Sequence, residues 1–534
     1  MTVAANPADV DAYVAGGWWE RSLTLSDLVR THATERPSSI AYRWGTAELS
    51  WAAYDELADG FAAVVAALCS PGDRVLVWLP DGGAVHAGYL GCERANAVTV
   101  GVGWRAGRQE LAHLVSRTGA TIAIMPRETP HGPGAELAAT LGLEPVIVDD
   151  VDRCPKLATT PTGPVPDSGI GPSELWLLNS TSGTTGLPKC VMQTQNRWFY
   201  FHQKAVAAGG LGDDEVWMSV VPAPFGFGLW TAHVTPALLG APCHVQPRFD
   251  AEAAAAAIEK YSITVLCAVS SQFVMILDAA GDRDISSLRA VFTGGEAISP
   301  SRAAELEERA GCRVLNFYGS NETGVLSGTT IVDPRDRRHT TGGRVIPEMQ
   351  VRLYDPDTGD RLPDQGEGQP ACRGPALALG YWDDPDANAV LATDDGWYLM
   401  GDLVRIEEGG WLTVVGRTSD IVIRGGKNIS APAVEEEVAT HAAVALVAVV
   451  GAPHPRLGET AVAYVQVRPG HTLTLEDLKA HLHDRGVTID WWPEEVVVMD
   501  ELPMSSGGKV AKGELRRLAA QRATNPTQKI WSGQ

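Results

Sequence analysis

The sequence predicts an α/β protein: a large N-terminal domain of βα units with a small β-rich subdomain, followed by a small C-terminal α+β domain. Two patterns and the length carry this. From about residue 72, short apolar runs alternate with helix-length amphipathic stretches, as parallel strands joined by crossover helices require. After about residue 340 the texture changes to short strands broken by Asp-Pro, Thr-Gly and glycine turns, as in Asp355-Pro356-Asp357-Thr358-Gly359-Asp360. A chain of 534 residues is also too long for one core and needs at least two domains.

Taken in order, strands are expected at 74–79, 98–101 and 121–125, with helices at 84–94 and 109–117 between them. Residues 155–172, rich in Pro, Thr and Gly, read as a surface connection. The βα rhythm resumes with strands at 216–221, 264–269, 290–293 and 314–318 and helices at 251–260 and 300–309. A strand at 351–354 opens the β-rich part. The tail from about residue 420 carries strands at 444–450 and 461–467, a helix at 475–484 and a last helix from Lys512. No internal repeat is present, and the run Ala253–Ala257 reads as a helix core.

Composition narrows the function classes. Hydrophobic content of 45% with 20% charged residues is that of an ordinary globular protein. No apolar run is long enough to span a bilayer, and the first residues have neither a basic segment nor an apolar core, so a cytoplasmic protein without membrane insertion is expected. The 8 cysteines are scattered without a CxxC pair, as reduced thiols would be. A formal net charge of −22 repels nucleic acid over most of the surface. Any polyanionic ligand must therefore be small and met by local donors in a cleft.

The stretch best suited to that task runs Ser180-Thr181-Ser182-Gly183-Thr184-Thr185-Gly186-Leu187-Pro188-Lys189, directly after the apolar run Leu175-Trp176-Leu177-Leu178 and Asn179. A buried strand ending in glycines and hydroxyls lets backbone N–H and side-chain O–H groups face one anion. Gly183 and Gly186 permit close backbone approach, and Lys189 supplies a mobile charge. The spacing is not that of the Walker loop. On composition alone a Ser/Thr/Gly linker reads the same way.

This loop resembles the signature of the adenylate-forming superfamily, which comprises acyl-CoA synthetases, stand-alone adenylation domains and luciferases. Further signatures of that family follow in its order, over residues 24 to 521. Phe292-Thr293-Gly294-Gly295-Glu296-Ala297 is similar to the loop beside the adenine ring. Tyr318-Gly319-Ser320-Asn321-Glu322 is similar to Tyr-Gly-x-Thr-Glu, which implies an aromatic on adenine and Glu322 as a magnesium ligand, with Asn321 standing where threonine is usual. A carboxylate beside a polyphosphate is otherwise repelled unless a divalent cation bridges the two. Gly396-Trp397-Tyr398-Leu399-Met400-Gly401-Asp402 resembles the ribose motif, with Asp402 accepting from both hydroxyls.

Gly416-Arg417-Thr418-Ser419-Asp420 resembles the start of the family's mobile C-terminal domain. It implies domains of 1–418 and 419–534, Arg417 as a nucleotide contact and Ser419 at the hinge. Arg424-Gly425-Gly426-Lys427 resembles the glycine loop that lines the pantetheine tunnel, which assigns Gly425 and Gly426 to the CoA path. Leu502-Pro503-Met504-Ser505-Ser506-Gly507-Gly508-Lys509 resembles the segment that ends in the catalytic lysine, here Lys509.

The resemblance implies an ATP- and Mg²⁺-dependent acid–thiol ligase. A carboxylate attacks the α-phosphate of ATP to give acyl-AMP and pyrophosphate, and CoA then displaces AMP. Since two anions must meet, charge neutralisation and alignment carry such catalysis. Pro222-Ala223-Pro224-Phe225-Gly226-Phe227-Gly228-Leu229-Trp230 is similar to the segment lining the family's acid pocket, with Val269 and Gln272 on a second wall. Gly226 falls where amino-acid-activating relatives carry aspartate and hydroxybenzoate-activating relatives asparagine. An uncharged pocket with Phe225, Phe227 and Trp230 implies a benzoate-like or alicyclic acid first and a short or medium aliphatic acid second. An enzyme loading a carrier-protein phosphopantetheine would share every motif, and the lack of an attached carrier domain favours free CoA. A non-catalytic nucleotide-binding protein would be expected to have lost Lys509 or Glu322, and both are present.

Overall fold

The computed structural model describes residues 4–159, 163–166, 169–180, 188–296, 298–356, 358–417, 420–424, 427–504 and 510–524. The chain divides into two compact units. In their described parts, the first comprises residues 4–180, 188–351 and 372–399, and the second 352–371 and 400–524. The β-rich stretch after residue 351 therefore groups with the C-terminal tail.

Two sheets organise the first unit. One has seven strands in the order Cys190–Gln193, Leu177–Ser180, Val98–Gly101, Arg74–Val77, Ile122–Pro126, Glu144–Asp149, Lys156–Leu157. The five strands from Leu177–Ser180 to Glu144–Asp149 are joined by four parallel pairings, and Val75, Leu76, Val77, Ile122, Ala123 and Ile124 are buried. Strands covered on both faces must be apolar throughout, which is why these runs do not alternate. The other sheet has nine strands, with a parallel centre of Arg313–Ser320, Ala290–Gly294, Val265–Cys267, Trp217–Ser219, Cys243–Val245 and Ile40–Trp44.

Helices between the strands start where a short polar side chain can satisfy free backbone N–H groups. Asp250 accepts from Ala253 N at 2.9 Å ahead of Ala251–Tyr261. Thr24 and Asp27 form a reciprocal cap on Leu25–Glu35, and Ser50 caps Trp51–Leu68. The expected elements from residue 74 onward are all present with ends moved by a few residues, for example Arg108–Thr118 and Arg313–Ser320. Strand ends at 216–221 and 264–269 are shorter than expected, Trp217–Ser219 and Val265–Cys267, because the chain turns there toward the helical segments that begin at Gly226 and Ser270.

In the second unit, Asp402–Ile406 pairs antiparallel with Leu412–Arg417, and Asp402 lies opposite Arg417 in register. The tail forms a sheet in the order Lys427–Ser430, Ile421–Arg424, Gly458–Val467, Val444–His454, with Glu495–Val498 added parallel to Gly458–Val467. Ala431–Ala439 and Leu475–Asp484 pack on one face through Val434, Val438, Leu478 and Leu482. Lys512–Thr524 covers the other through Leu515 and Ala519. No helix among the described residues is long and apolar enough to cross a membrane.

Candidate active site

In the first unit the expected site residues gather where parallel strands end. Ser180 closes Leu177–Ser180, Gly295 and Glu296 follow Ala290–Gly294, Val269 and Gln272 follow Val265–Cys267, and Asn321 and Glu322 follow Arg313–Ser320. The segment 222–230 follows Trp217–Ser219. The crevice outside the carboxyl ends of parallel strands is where open α/β sheets bind ligands, because loops diverge there and helices begin. Thr181, Ser182, Gly183, Thr184, Thr185, Gly186, Ala297, Ser419, Gly425, Gly426 and Lys509 lie outside the described residues.

Glu322 sits in a tight hydroxyl-bridged turn. Ser320 Oγ accepts from Glu322 N at 3.2 Å, and Ser320 N donates to Thr323 Oγ1 at 3.1 Å. Gly319 is required here, because a Cβ would overlap the carbonyl oxygen of Gly324. Tyr318 is buried at the foot of the turn. Tyr381 Oη donates to Glu322 Oε1 at 2.7 Å, and Lys189 Nζ lies 4.7 Å from the centre of the same tyrosine ring. Burial and the facing Glu322 carboxylate raise the Tyr381 phenol, so it remains a donor throughout the physiological range. Lys189, Tyr381 and Glu322 are thus a lysine, a phenol and a carboxylate in one file.

A buried polar chain runs behind Asn321. Arg197 is 1% exposed and lies against Gln193 Oε1; it also donates to Asn321 O at 2.7 Å and Ala376 O at 2.7 Å. Gln193 Nε2 donates to Asn179 Oδ1 at 2.8 Å, and Asn179 Nδ2 donates to Asn321 Oδ1 at 3.2 Å. Burial pulls the Arg197 guanidinium down to about 9 against the opposing pull of Glu322, which leaves it charged at neutral pH.

The segment 222–230, expected to line an acid pocket, begins a helix. Gly226–Gly228 continues into a π-turn over Leu229–Val234 and then Thr235–Leu239. Single π-turns cluster at functional sites because the extra residue re-aims side chains. Gly226 faces Asn321: a Cβ at 226 would overlap Asn321 Oδ1 and approach Trp198 to 3.3 Å. Phe225 is mostly buried and Phe227 half-buried. Trp230 is fully buried, stacked on Phe201 at 4.3 Å and edge-on to Phe292 at 5.6 Å. It therefore supports the segment from behind.

Both ends of the Gln272 amide are occupied by backbone: Nε2 donates to Val220 O at 3.0 Å and Oε1 accepts from Val269 N at 3.2 Å. Glu296 accepts from Ser271 N and Ser271 Oγ, each at 3.0 Å, which fixes the start of Ser270–Ala279 against the segment that follows Ala290–Gly294. Behind the segment 222–230 lies a second buried cluster. Asp81 Oδ2 accepts from Ala223 N at 3.2 Å, its Oδ1 is 3.8 Å from His86 Nε2, and His86 Nδ1 is 3.3 Å from His233 Nδ1 in the π-turn. Burial raises Asp81 to about 7 and lowers His233 to about 3.

In the second unit Asp402 and Arg417 are opposite residues of adjacent strands. The start of the tail is tied by ion pairs: Lys512 meets Glu435 at 2.7 Å and Asp420 at 3.5 Å, and Arg516 also pairs with Asp420.

The chain matches the AMP-binding enzyme family over residues 29–382 and that family's C-terminal domain over residues 433–509. It belongs to the AMP-binding enzymes. Among relatives, it is similar to a medium-chain fatty-acid–CoA ligase of Escherichia coli, at 30% identity over 98% of this chain and 95% of the relative. It is also 32% identical to a salicyl-AMP ligase / salicyl-S-ArCP synthetase of Mycobacterium tuberculosis, covering 96% of this chain and 93% of the other. In fold it resembles the anthranilate CoA ligase AuaEII, solved with anthranoyl-AMP, at a TM-score of 0.83 and 20% identity over 95% of this chain and 99% of that one. The expected adenylate-forming superfamily and α/β fold both hold.

AMP-binding enzymes handle nucleotide phosphates with magnesium, and the donor set fits that ion. Glu322 Oε1 is taken by Tyr381, while no described residue donates to Oε2, which leaves a hard carboxylate oxygen open. Among the described residues no group of three His, Cys, Asp or Glu forms a closed cage. Magnesium held through one carboxylate and substrate phosphates needs none. Sequence reading missed Tyr381, Arg197, Gln193 and Asn179. Tyr381 carried a signal in the aromatic turn Gly380-Tyr381-Trp382; Gln193 and Arg197 end the polar run Gln193-Thr194-Gln195-Asn196-Arg197 and Asn179 follows an apolar run, and only the tertiary fold joins the three.

Proposed function

We propose that this AMP-binding enzyme activates a carboxylic acid with ATP to give acyl-AMP and pyrophosphate, then transfers the acyl group to the thiol of CoA. The observation that carries this reading is the file Lys189, Tyr381 and Glu322 at the strand ends, beside an acid wall opened by Gly226. Lys189 would bind phosphate, Glu322 would hold Mg²⁺, and the ion would neutralise phosphate charge as the carboxylate approaches. Lys509 would act in adenylation, Gly425 and Gly426 would line the thiol path, and Asp402 with Arg417 would hold ribose and nucleotide. The remaining residues of the 181–189 loop, with Gly295, Glu296, Ala297, Tyr318, Gly319 and Ser320, complete the proposed nucleotide site, and Asn321, grouped with them by the family resemblance, stands between that site and Gly226.

The acid is proposed to be benzoate-like or alicyclic, taken against Phe225, Gly226 and Phe227, with Trp230, Val269 and Gln272 shaping the walls. A pivot at Ser419 between 1–418 and 419–534 would serve the two half-reactions in turn. The free state of all eight cysteines supports a cytoplasmic location. Acid-dependent pyrophosphate release, followed by AMP release with thioester formation only when CoA is added, tests the reading across a panel of acids. The similarity to a salicyl-S-ArCP synthetase supports a second reading, in which a carrier-protein phosphopantetheine replaces CoA. Pyrophosphate release with no thioester on CoA would favour it.

A further inference from the structure

The buried chain behind Asn321 has a fixed polarity. An amide side chain can be turned either way round, so its direction must come from a partner with only one role. Arg197 is such a partner: its guanidinium donates and cannot accept, and it stays charged at neutral pH. It meets Gln193 through Oε1, so Gln193 must present Nε2 to the next residue, Asn179 Oδ1, at 2.8 Å. Asn179 in turn must present Nδ2 to Asn321 Oδ1, at 3.2 Å. Gln193 and Asn179 are wholly buried, so water does not offer an alternative partner. The chain ends at Asn321 Nδ2, which donates to no described residue and belongs to a half-buried side chain.

Asn321 also lies over Gly226, since its Oδ1 occupies the space a side chain at 226 would need. The free N–H₂ is therefore at the junction between the acid wall and Glu322. We infer that Asn321 Nδ2 is the donor that receives the carboxylate of the acid substrate, and that Arg197, Gln193 and Asn179 are positioning residues that hold it as a donor. The inference rests on the acid-activation reading above. It adds that this chain recognises the reacting end of its acid through residue 321, while residue 226 only provides room. The buried positive charge of Arg197, transmitted along three aligned amides, strengthens the terminal donor toward an anion.

Reversing the chain tests this. Gln193→Glu exchanges one nitrogen for oxygen and gives Arg197 an anionic partner. A carboxylate at 193 cannot donate to Asn179, so Asn179 must turn its Nδ2 toward it, and Asn321 must then turn its Oδ1 to the site. Acid-dependent pyrophosphate exchange is measured with acid and ATP each titrated, alongside thermal melting. We expect the acid KM to rise roughly 10- to 100-fold, the loss of a charge-assisted hydrogen bond, with the ATP KM within about twofold and a melting temperature equal to or above the parent's. Asn321→Asp, which keeps Oδ1 for Asn179 and replaces only the donor, should raise the acid KM at least as much. A merely structural chain would change melting and leave the KM split untouched.

An unchanged acid KM in both variants of an active parent would overturn the inference alone. A rise confined to the ATP KM would assign the donor to a phosphate oxygen and overturn it equally. A parent without acid-dependent exchange would overturn the acid-activation reading and this inference with it.

Discussion

Asp81 is 8% exposed, holds Ala223 N at 3.2 Å, and faces His86, Tyr89, Tyr42 and Cys243, with His233 on the far side of His86. Desolvation raises its pKa to about 7, opposed by the Ala223 hydrogen bond. His86, 3.8 Å away, is driven well below its ordinary value by burial and by His233, so it supplies no counter-charge. Below about pH 4 Asp81 is protonated in both folded and unfolded chains. Between about pH 4 and pH 7 the unfolded chain releases the proton while the folded one retains it, so stability is lost as pH rises, and above about pH 7 the loss is complete. Three pKa units at 1.36 kcal/mol each set an upper size of about 4 kcal/mol. Asp81→Asn mimics the protonated acid and keeps an oxygen for Ala223 N. Urea denaturation of parent and variant from pH 4 to pH 8.5 should give stabilities that nearly meet at pH 4, separate steadily up to about pH 7 with the variant the more stable, and keep a constant gap above it. A constant offset across the range would refute the buried-acid argument.

Three further outcomes are expected. Lys509→Ala should abolish acyl-AMP formation yet largely spare thioester formation from synthetic acyl-AMP and CoA, measured as separate half-reactions; equal loss in both would remove the lysine from adenylation. Gly426→Leu should leave pyrophosphate exchange near the parent rate and block transfer to CoA, and a normal thioester rate would show that this glycine does not line the thiol path. Gly226→Ala must displace Asn321 and should cut kcat/KM for the acid by roughly tenfold or more. Combining it with Asn321→Ala should cost far less than the sum of the two single changes, whereas additivity would separate the residues.

The parallel strands were legible because each is an apolar run bounded by turn residues, and burial on both faces forces that composition. The helices before residue 72 were not read from the sequence. Pro7–Ala15 buries no residue and so carries no periodic stripe, although Leu25–Glu35 buries Leu25 and Val29 on one face. The π-turn over Leu229–Val234 was illegible for another reason: its residues fit an ordinary helix, and the irregularity arises where His233 packs against His86 and Trp176. Glu322 and Gly226 were singled out because motifs mark them. Arg197 was not, because a single arginine in Asn196-Arg197-Trp198 reads as a helix surface residue, yet it is 1% exposed.

A chain with net charge −22 that must bring two anions together cannot rely on its overall field, which opposes both. The polar groups around the acid wall answer this locally. Residue 226 is glycine, so nothing on the wall itself carries charge, and the segment is held from two sides by groups of different kind. Asp81, uncharged up to about neutrality, holds Ala223 through one hydrogen bond and adds no repulsion to an approaching carboxylate while it keeps its proton. Arg197 provides the only fully buried guanidinium of the two networks, and its charge reaches the site through neutral amides that neither titrate nor bind an ion tightly. An uncharged donor suits a substrate that must leave as an acyl group: it favours the carboxylate on arrival without clamping it as a lysine would. Deprotonation of Asp81 above pH 7 places a negative charge behind the same wall, so acid binding should weaken over the pH range in which Asp81 loses its proton.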